Sequence, residues 1–364
     1  YLDFMEQLKK HSRKLNYNNI YDVLIKASKF NYVLLGESTH GTDEFYLFRL
    51  IITILMVKDF GFRTIMFETE WSLGFQLNLY IHSMIERDIQ SILDKLFVKY
   101  PKWMCHNEYI MHLLLFLKRW NQNNINDKVY FYGIDCQDIE IAQKNMCYDD
   151  TINCKIVKQI IDNYYKMKES DNYWNMRDSF WMTIIEQLKN HNKHKIILWA
   201  HNSHIGNIKG NFKDNSTGFL NKINIGYLLD SAYGSYKIGF STFNGSVKAS
   251  KHWGGVGRKY KLKPAIKESY EYLFHLITKE LDSLDSNSKG LIYHCNPLES
   301  IHKLFRYIGV IYNSDNEIAS HYIKTNIKKE YNIVIFINTT NYLNSMPSKS
   351  VKHRNILKYY VKLI

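Results

Sequence analysis

A chain of 364 residues with 45% hydrophobic and 23% charged side chains can bury a large core and is too long to be a small binding module. Its formal charge of +13 raises nucleic acid as a partner, but the basic residues are dispersed among Asn, Ile and Tyr, and only Lys248 to Lys263 concentrates them, so no nucleic-acid ligand is expected. No run of about 18 apolar residues is present, and Tyr1 to Lys10 is charged and amphipathic, so neither a membrane span nor a targeting segment is evident.

A cytoplasmic location is the default expectation, although a start on Tyr1 rather than Met is compatible with a trimmed leader. The five cysteines, Cys105, Cys136, Cys147, Cys154 and Cys295, are odd in number, widely spaced and without a Cys-x-x-Cys pair, which reads as a reducing compartment.

In chain order, short apolar or aromatic runs alternate with longer helical patterns. The runs are Tyr32 to Gly36, Thr64 to Phe67, Val129 to Ile134, Ile196 to Ala200, Tyr236 to Ser241, Gly290 to Tyr293 and Ile333 to Asn338. Without polar alternation they read as buried strands. Separated by helix-length segments, they predict an α/β fold with a mostly parallel central sheet flanked by helices. The stretches at about 71–122 and 139–192 carry apolar residues at helical spacing, as in His112 to Trp120, and predict an inserted helical layer. With only four prolines there is no Pro-rich linker, so residues 1–364 read as a single domain. Gly206 to Thr217 and Ser246 to Lys263 read as loops, either able to form a lid.

The chemistry-bearing residues stand at predicted strand ends, where ligands gather in parallel sheets. Gly36-Glu37-Ser38-Thr39-His40-Gly41 puts a carboxylate three residues from an imidazole, which suits a general base acting on water. The plainer alternative is that Ser38 or Thr39 caps the following helix. Arg49 falls on the apolar side of that helix with Phe45, Phe48 and Ile52, and either snorkels to solvent or pairs with Glu37 or Glu68. Phe67-Glu68-Thr69-Glu70 ends the next strand in two carboxylates. Glu68 is the favoured functional group, and Glu70 shares its side only if the strand runs on; acidity at a helix N-terminus would explain both. His201 and His204 follow another strand at i and i+3, a spacing that suits a catalytic pair or metal ligation.

Together the segments GESTHG with Phe45 and Arg49, FETEW, FYGIDCQ (Phe131 to Gln137), WAHNSHI, YKIGFS, PAIKESYEYLFH (Pro264 to His275) and FRYIGVIYN (Phe305 to Asn313) resemble, in order and spacing, the erythromycin esterase family. The resemblance runs from Val33 to Asn338. It implies an α/β core with a helical insertion and a deep cleft in which a histidine activates water to cleave an ester such as a macrolide lactone. By position, His40 matches the family's general base, Glu37 its acidic neighbour, Arg49 and Glu68 its buried charged pair, and His201 and His204 its second histidine pair. No serine nucleophile is implied, which suits a sequence with no Gly-x-Ser-x-Gly elbow. Asp135 matches a position expected to support a histidine, and Trp103 and Asn202 are grouped with it as substrate-binding or supporting residues. Trp103 to Trp120 resembles the family's helical wall, with Cys105 and His106 departing from the larger or arginine side chains common there.

The expected activity is therefore hydrolysis of a small-molecule carboxylic ester or macrolactone without a cofactor. Two other readings stay open. One is a metal-dependent, peptidase-like hydrolase with zinc or another divalent ion held by His40, Glu68, His201 and His204. The other is a non-catalytic effector that binds a polyanion through its basic surface.

Overall fold

Side chains alternate across a strand, so a sheet covered on both faces needs apolar residues at every position. The computed structural model, which describes residues 2–99, 101–208, 222–282, 289–295 and 302–346, has this arrangement. Val33 and Leu35 join one hydrophobic cluster, with Ile197, Trp199, Ile65 and Phe67. Tyr32 and Leu34 face the other, with Ile196, Leu198 and Met66.

The strands in chain order are β1 (Ser12–Lys14), β2 (Tyr32–Leu35), β3 (Phe62–Glu70), β4 (Tyr130–Asp135), β5 (Lys195–Trp199) and β6 (Tyr236–Ala249). They continue with β7 (Arg258–Leu262), β8 (Gly290–His294), β9 (Lys303–Arg306), β10 (Tyr322–Thr325) and β11 (Ile333–Thr340). All seven runs expected as strands form them. Eight strands lie in the order β1-β8-β11-β6-β2-β5-β3-β4. The pairs from β11 to β4 are parallel, while β8 and β1 close one side antiparallel.

Two groups of helices cover opposite faces of the sheet. The helices Trp71–Ile81, Ile89–Leu96 and Glu108–Asn123 pack with Asp43–Phe60 on the first cluster. Ile152–Lys168, Tyr173–Asn192 and Tyr270–Asp282 pack on the second. No helix among the described residues is long and apolar enough to cross a membrane.

Several expectations change. Ser246 to Lys263 is not a continuous loop: its ends are the outer part of β6 and the antiparallel β7, and only the turn between them is irregular. β7 reads as a loop because most of its side chains face solvent, so polar residues serve there. The other expected loop, Gly206 to Thr217, lies largely outside the described residues. Neither Ser38 nor Thr39 caps the Asp43–Phe60 helix; the cap position is Thr42, whose side chain makes no capping bond. Cys147 and Cys154, expected as thiols, are joined in a disulfide with Cα atoms 5.2 Å apart, while Cys105, Cys136 and Cys295 are free and buried.

Candidate active site

Because β2, β5 and β3 are parallel neighbours, the residues that follow them emerge on the same edge of the sheet. Glu37 and His40 follow β2, His201 and His204 follow β5, and Glu68 stands near the end of β3 beside them. A cavity of about 930 Å³ opens there, with His40, Glu68, His201 and His204 in its wall.

β3 reaches the site through an irregularity. Its pairing with β4 slips between Phe67 and Glu70, and Glu68, Thr69 and Glu70 all line the cavity in succession. A regular strand would have turned the middle one to the opposite face. Gly133 on β4 makes the bulge possible, since a Cβ there would overlap the carbonyl oxygens of Glu70 and Thr69.

Glu37 has two partners. One oxygen lies 2.8 Å from His40 Nδ1, and the other accepts a 2.7 Å bond from Arg49, whose side chain is 0% exposed. The guanidinium of Arg49 also lies over the rings of Tyr46 and Trp199, at 4.4 and 4.7 Å. A carboxylate held this firmly fixes the His40 ring and leaves its Nε2 for the cavity, 4.0 Å from Glu68. Burial alone would lower the pKa of His40, but the charges of Glu68 and Glu37 outweigh it and raise the pKa above its ordinary value.

His201 differs. Its ring centroid is 4.8 Å from that of His40, yet burial and the neighbouring His40 charge push its pKa well below the ordinary value. Its Nδ1 accepts from the Ser203 backbone N–H at 3.3 Å and lies 2.7 Å from the Ser203 hydroxyl. In the neutral ring this places the proton on Nε2.

The second insert supplies residues that strand-end reasoning missed. Arg177 forks onto Asp135 through Nε and Nη2, at 2.9 and 2.7 Å, and reaches Glu68 at 3.3 Å. Its Nη1 lies 3.2 Å from His204 Nε2. The adjacent Asp178 brings both oxygens within 3.0 Å of His204 Nδ1. Trp174 stacks on the His204 ring at 4.3 Å, with Trp181 at 4.7 Å. Both nitrogens of His204 are thus engaged. Trp174, Arg177, Asp178 and Trp181 follow the i, i+3, i+4, i+7 pattern of a buried stripe, so two charges at core positions were the available signal.

Glu68 is the hub. It accepts the His201 backbone N–H at 2.8 Å and lies 3.6 Å from His204. Burial raises its pKa, but His204, His40 and Arg177 lower it further, so it stays ionised. Glu70 goes the other way: burial and the Asp135 charge raise its pKa to about 8.

Four expectations are corrected. Arg49 and Glu68 do not pair; Arg49 serves Glu37, and Arg177 serves Glu68. Asp135 supports Arg177 rather than a histidine, and Asp178 supports His204. Trp103 belongs to the core and not to the cavity wall, because the turn there points Met104 and Cys105 inward. Asn202 is buried and ties the turn after β5 to the Phe240 carbonyl at 2.8 Å, so it does not line the cavity.

As a zinc set the four residues fit poorly, because both ring nitrogens of His204 are already held by protein partners. Among the described residues, the cluster with His, Cys or carboxylate donors close enough for a metal ion is Cys147, Asp149 and Cys154, whose sulfurs are bonded to each other. His106, a departure noted in the sequence, pairs with Asp94 at 2.5 Å away from the cavity, while Cys105 lines it with its thiol pKa pushed up to about 12 by burial.

The model of the erythromycin esterase family matches residues 57–150 and 142–340. Among solved structures, the chain is similar to a succinoglycan biosynthesis protein, at 16% identity and a TM-score of 0.74, covering 94% of this chain and 98% of that one. A Bacillus cereus protein matches at 17% identity and a TM-score of 0.74, covering 95% and 99%. A mutant of the erythromycin esterase EreC in its open conformation matches at 13% identity and a TM-score of 0.60, covering 92% and 99%. At these identities the likeness is one of fold.

Proposed function

Since the chain belongs to the erythromycin esterase family, and with it to a group of hydrolases acting on small molecules, we propose that it cleaves a carboxylic ester or lactone with water activated by His40. The observation that carries this reading is the contrast between two histidines 4.8 Å apart at one cavity, His40 inclined to hold a proton and His201 to stay neutral. Environments that push two such groups apart assign a base and an electrophile.

In its unprotonated form His40 offers the Nε2 lone pair to water, since Nδ1 is tied to Glu37. As the water oxygen bonds to the acyl carbon, His40 takes the water proton, and the resulting imidazolium sits between Glu37 and Glu68. The Nε2–H of neutral His201, which is buried against the Ser38 backbone, reaches the developing oxyanion once its ring turns toward the cavity. When the carbon–oxygen bond breaks, the leaving alkoxide takes the proton back from His40. His204, engaged on both nitrogens, positions Glu68 and Arg177 rather than exchanging protons. The apolar rim, including Leu73, Leu96, Phe97 and Val310, would receive the body of the substrate.

The test is hydrolysis of aryl acetates and a panel of macrolides by the wild type, His40→Ala and His201→Ala, with and without a chelator. Turnover lost in both variants and indifferent to chelator is the expected result. Activity that survives His40→Ala, or that chelator abolishes, would end this reading and favour the metal-dependent one.

A further inference from the structure

A second cluster of buried acid and hydroxyl groups touches the same turn from behind. Tyr307 lines the cavity, its ring centroid 6.1 Å from that of His201. Its hydroxyl lies 2.8 Å from Glu330 Oε2 and 3.2 Å from the Tyr331 hydroxyl. The Tyr331 hydroxyl in turn lies 3.2 Å from the main-chain oxygen of Asn202, inside the His201–His204 turn. Glu330 also meets that turn through its own carbonyl, which accepts from the Asn207 N–H at 3.0 Å.

These distances allow a count of protons. Tyr331 also hydrogen-bonds Glu330, and for all three of the oxygen–oxygen contacts above to be filled at once three protons are needed; the two phenols supply two, and a peptide carbonyl supplies none. The third belongs on the carboxyl group. The chain then runs without a gap from Glu330 to Tyr307, from Tyr307 to Tyr331, and from Tyr331 to the Asn202 carbonyl. We infer that Glu330 carries a proton in the working protein and, through Tyr307 and Tyr331, is a positioning residue for the turn that bears His201 and His204.

The surroundings agree with the count. Glu330 is 2% exposed, and among the described residues no Lys, Arg or His forms an ion pair with it. The titratable groups that face it are Tyr307 and Tyr331, whose hydrogen bonds lower its pKa, and Tyr270 and Cys295, which respond to its charge; none brings a positive charge. Burial prevails and the carboxyl pKa rises to about 8. Ionisation above that pH removes the third proton, and the Asn202 carbonyl then competes with Tyr307 and Glu330 for the two that remain.

This inference rests on the hydrolytic reading for its effect on rate but not for its effect on the turn. The wild type, Glu330→Gln and Tyr331→Phe are compared in ester hydrolysis between pH 6 and 10, and by NMR of the His201 ring. In the wild type, kcat should fall through an alkaline limb near pH 8, and the His201 resonances should shift over the same range. In Glu330→Gln the side-chain amide donates without ionising, so that variant should keep its rate at pH 7 and lose both the limb and the shift. Tyr331→Phe cuts the chain, so at pH 7 kcat should fall about tenfold with KM unchanged, and the alkaline limb near pH 8 should be lost. An unchanged alkaline limb in Glu330→Gln, or His201 resonances that titrate alike in both proteins, would overturn the inference. A wild type that turns over no ester ends the hydrolytic reading alone, and the NMR comparison then decides this one.

Discussion

Replacing Glu37 by Gln removes one carboxylate from two partners, and the structure separates the consequences. Arg49 is 0% exposed and its ion-pair partner is Glu37, so the variant keeps a buried guanidinium without a counter-charge. Breaking such a pair from one side costs about 3–5 kcal/mol, against a total stability of about 5–15 kcal/mol for a typical domain. Arg49→Met should cost a similar amount by stranding the carboxylate. In the double variant Glu37→Gln with Arg49→Met, no buried charge is left unpaired, so the loss should shrink to at most about 2 kcal/mol, a coupling energy of about 4–8 kcal/mol. Activity should not follow. His40 has lost the carboxylate charge that stabilises its imidazolium, and kcat should stay about 10²–10⁴-fold below wild type in both Glu37→Gln proteins. Denaturant unfolding followed by the fluorescence of the seven tryptophans measures the first quantity, and initial rates of ester hydrolysis measure the second. Single-variant losses that simply add in the double variant would refute the pairing, and recovery of activity alongside stability would refute the role given to Glu37.

Other outcomes follow from the same geometry. A base must be unprotonated, and the folded pKa of His40 is raised, so the acid limb of kcat/KM should lie above the ordinary imidazole value of about 6.5 and move to lower pH in Glu68→Gln; a limb that stays in place would separate Glu68 from His40. Glu70 has its pKa raised from 4.5 to about 8, so the folded state binds the extra proton, and stability from this group falls as pH rises across that interval. Glu70→Gln should accordingly gain thermal stability over wild type at pH 8 but not at pH 4, by calorimetry. Gly133→Ala should cost about 1–3 kcal/mol in unfolding and reduce turnover, because the added methyl group pushes the bulge that carries Glu68 to Glu70; a fully active, fully stable variant would mean the bulge can shift freely.

The parallel core was legible because residues such as Val33, Leu35, Ile197 and Ile335 must be apolar when both faces of the sheet are covered. Glu37, His40, Glu68, His201 and His204 were legible for the related reason that polar residues ending an apolar run fall at the mouth of the sheet. Arg177 and Asp178 were not, because the helix that holds them approaches from the opposite face and nothing local in the sequence says what it meets. The strands β1, β7, β9 and β10 escaped because they are short or solvent-facing, and a few residues of mixed polarity do not separate strand from loop. Trp103 was misplaced because a tryptophan in a wall segment reads equally as core or lining until the turn at Lys102–Met104 decides which way it points. Which carboxylate takes which arginine depends on distances of an ångström or two, below what spacing along a chain can resolve.

The position of Arg177 and Asp178 on the second insert limits how freely that insert can be exchanged. An engineer grafting another helical segment between β4 and β5 would change more than the contour of the cavity. Glu68 and Asp135 would lose the guanidinium they share, and His204 the acid that holds it. The strand ends would then carry uncompensated anions that recover neutrality only by taking up protons. A chimera made this way needs the pair at 177 and 178 kept on the graft, or both carboxylates replaced with it, before any change of substrate can be attributed to shape.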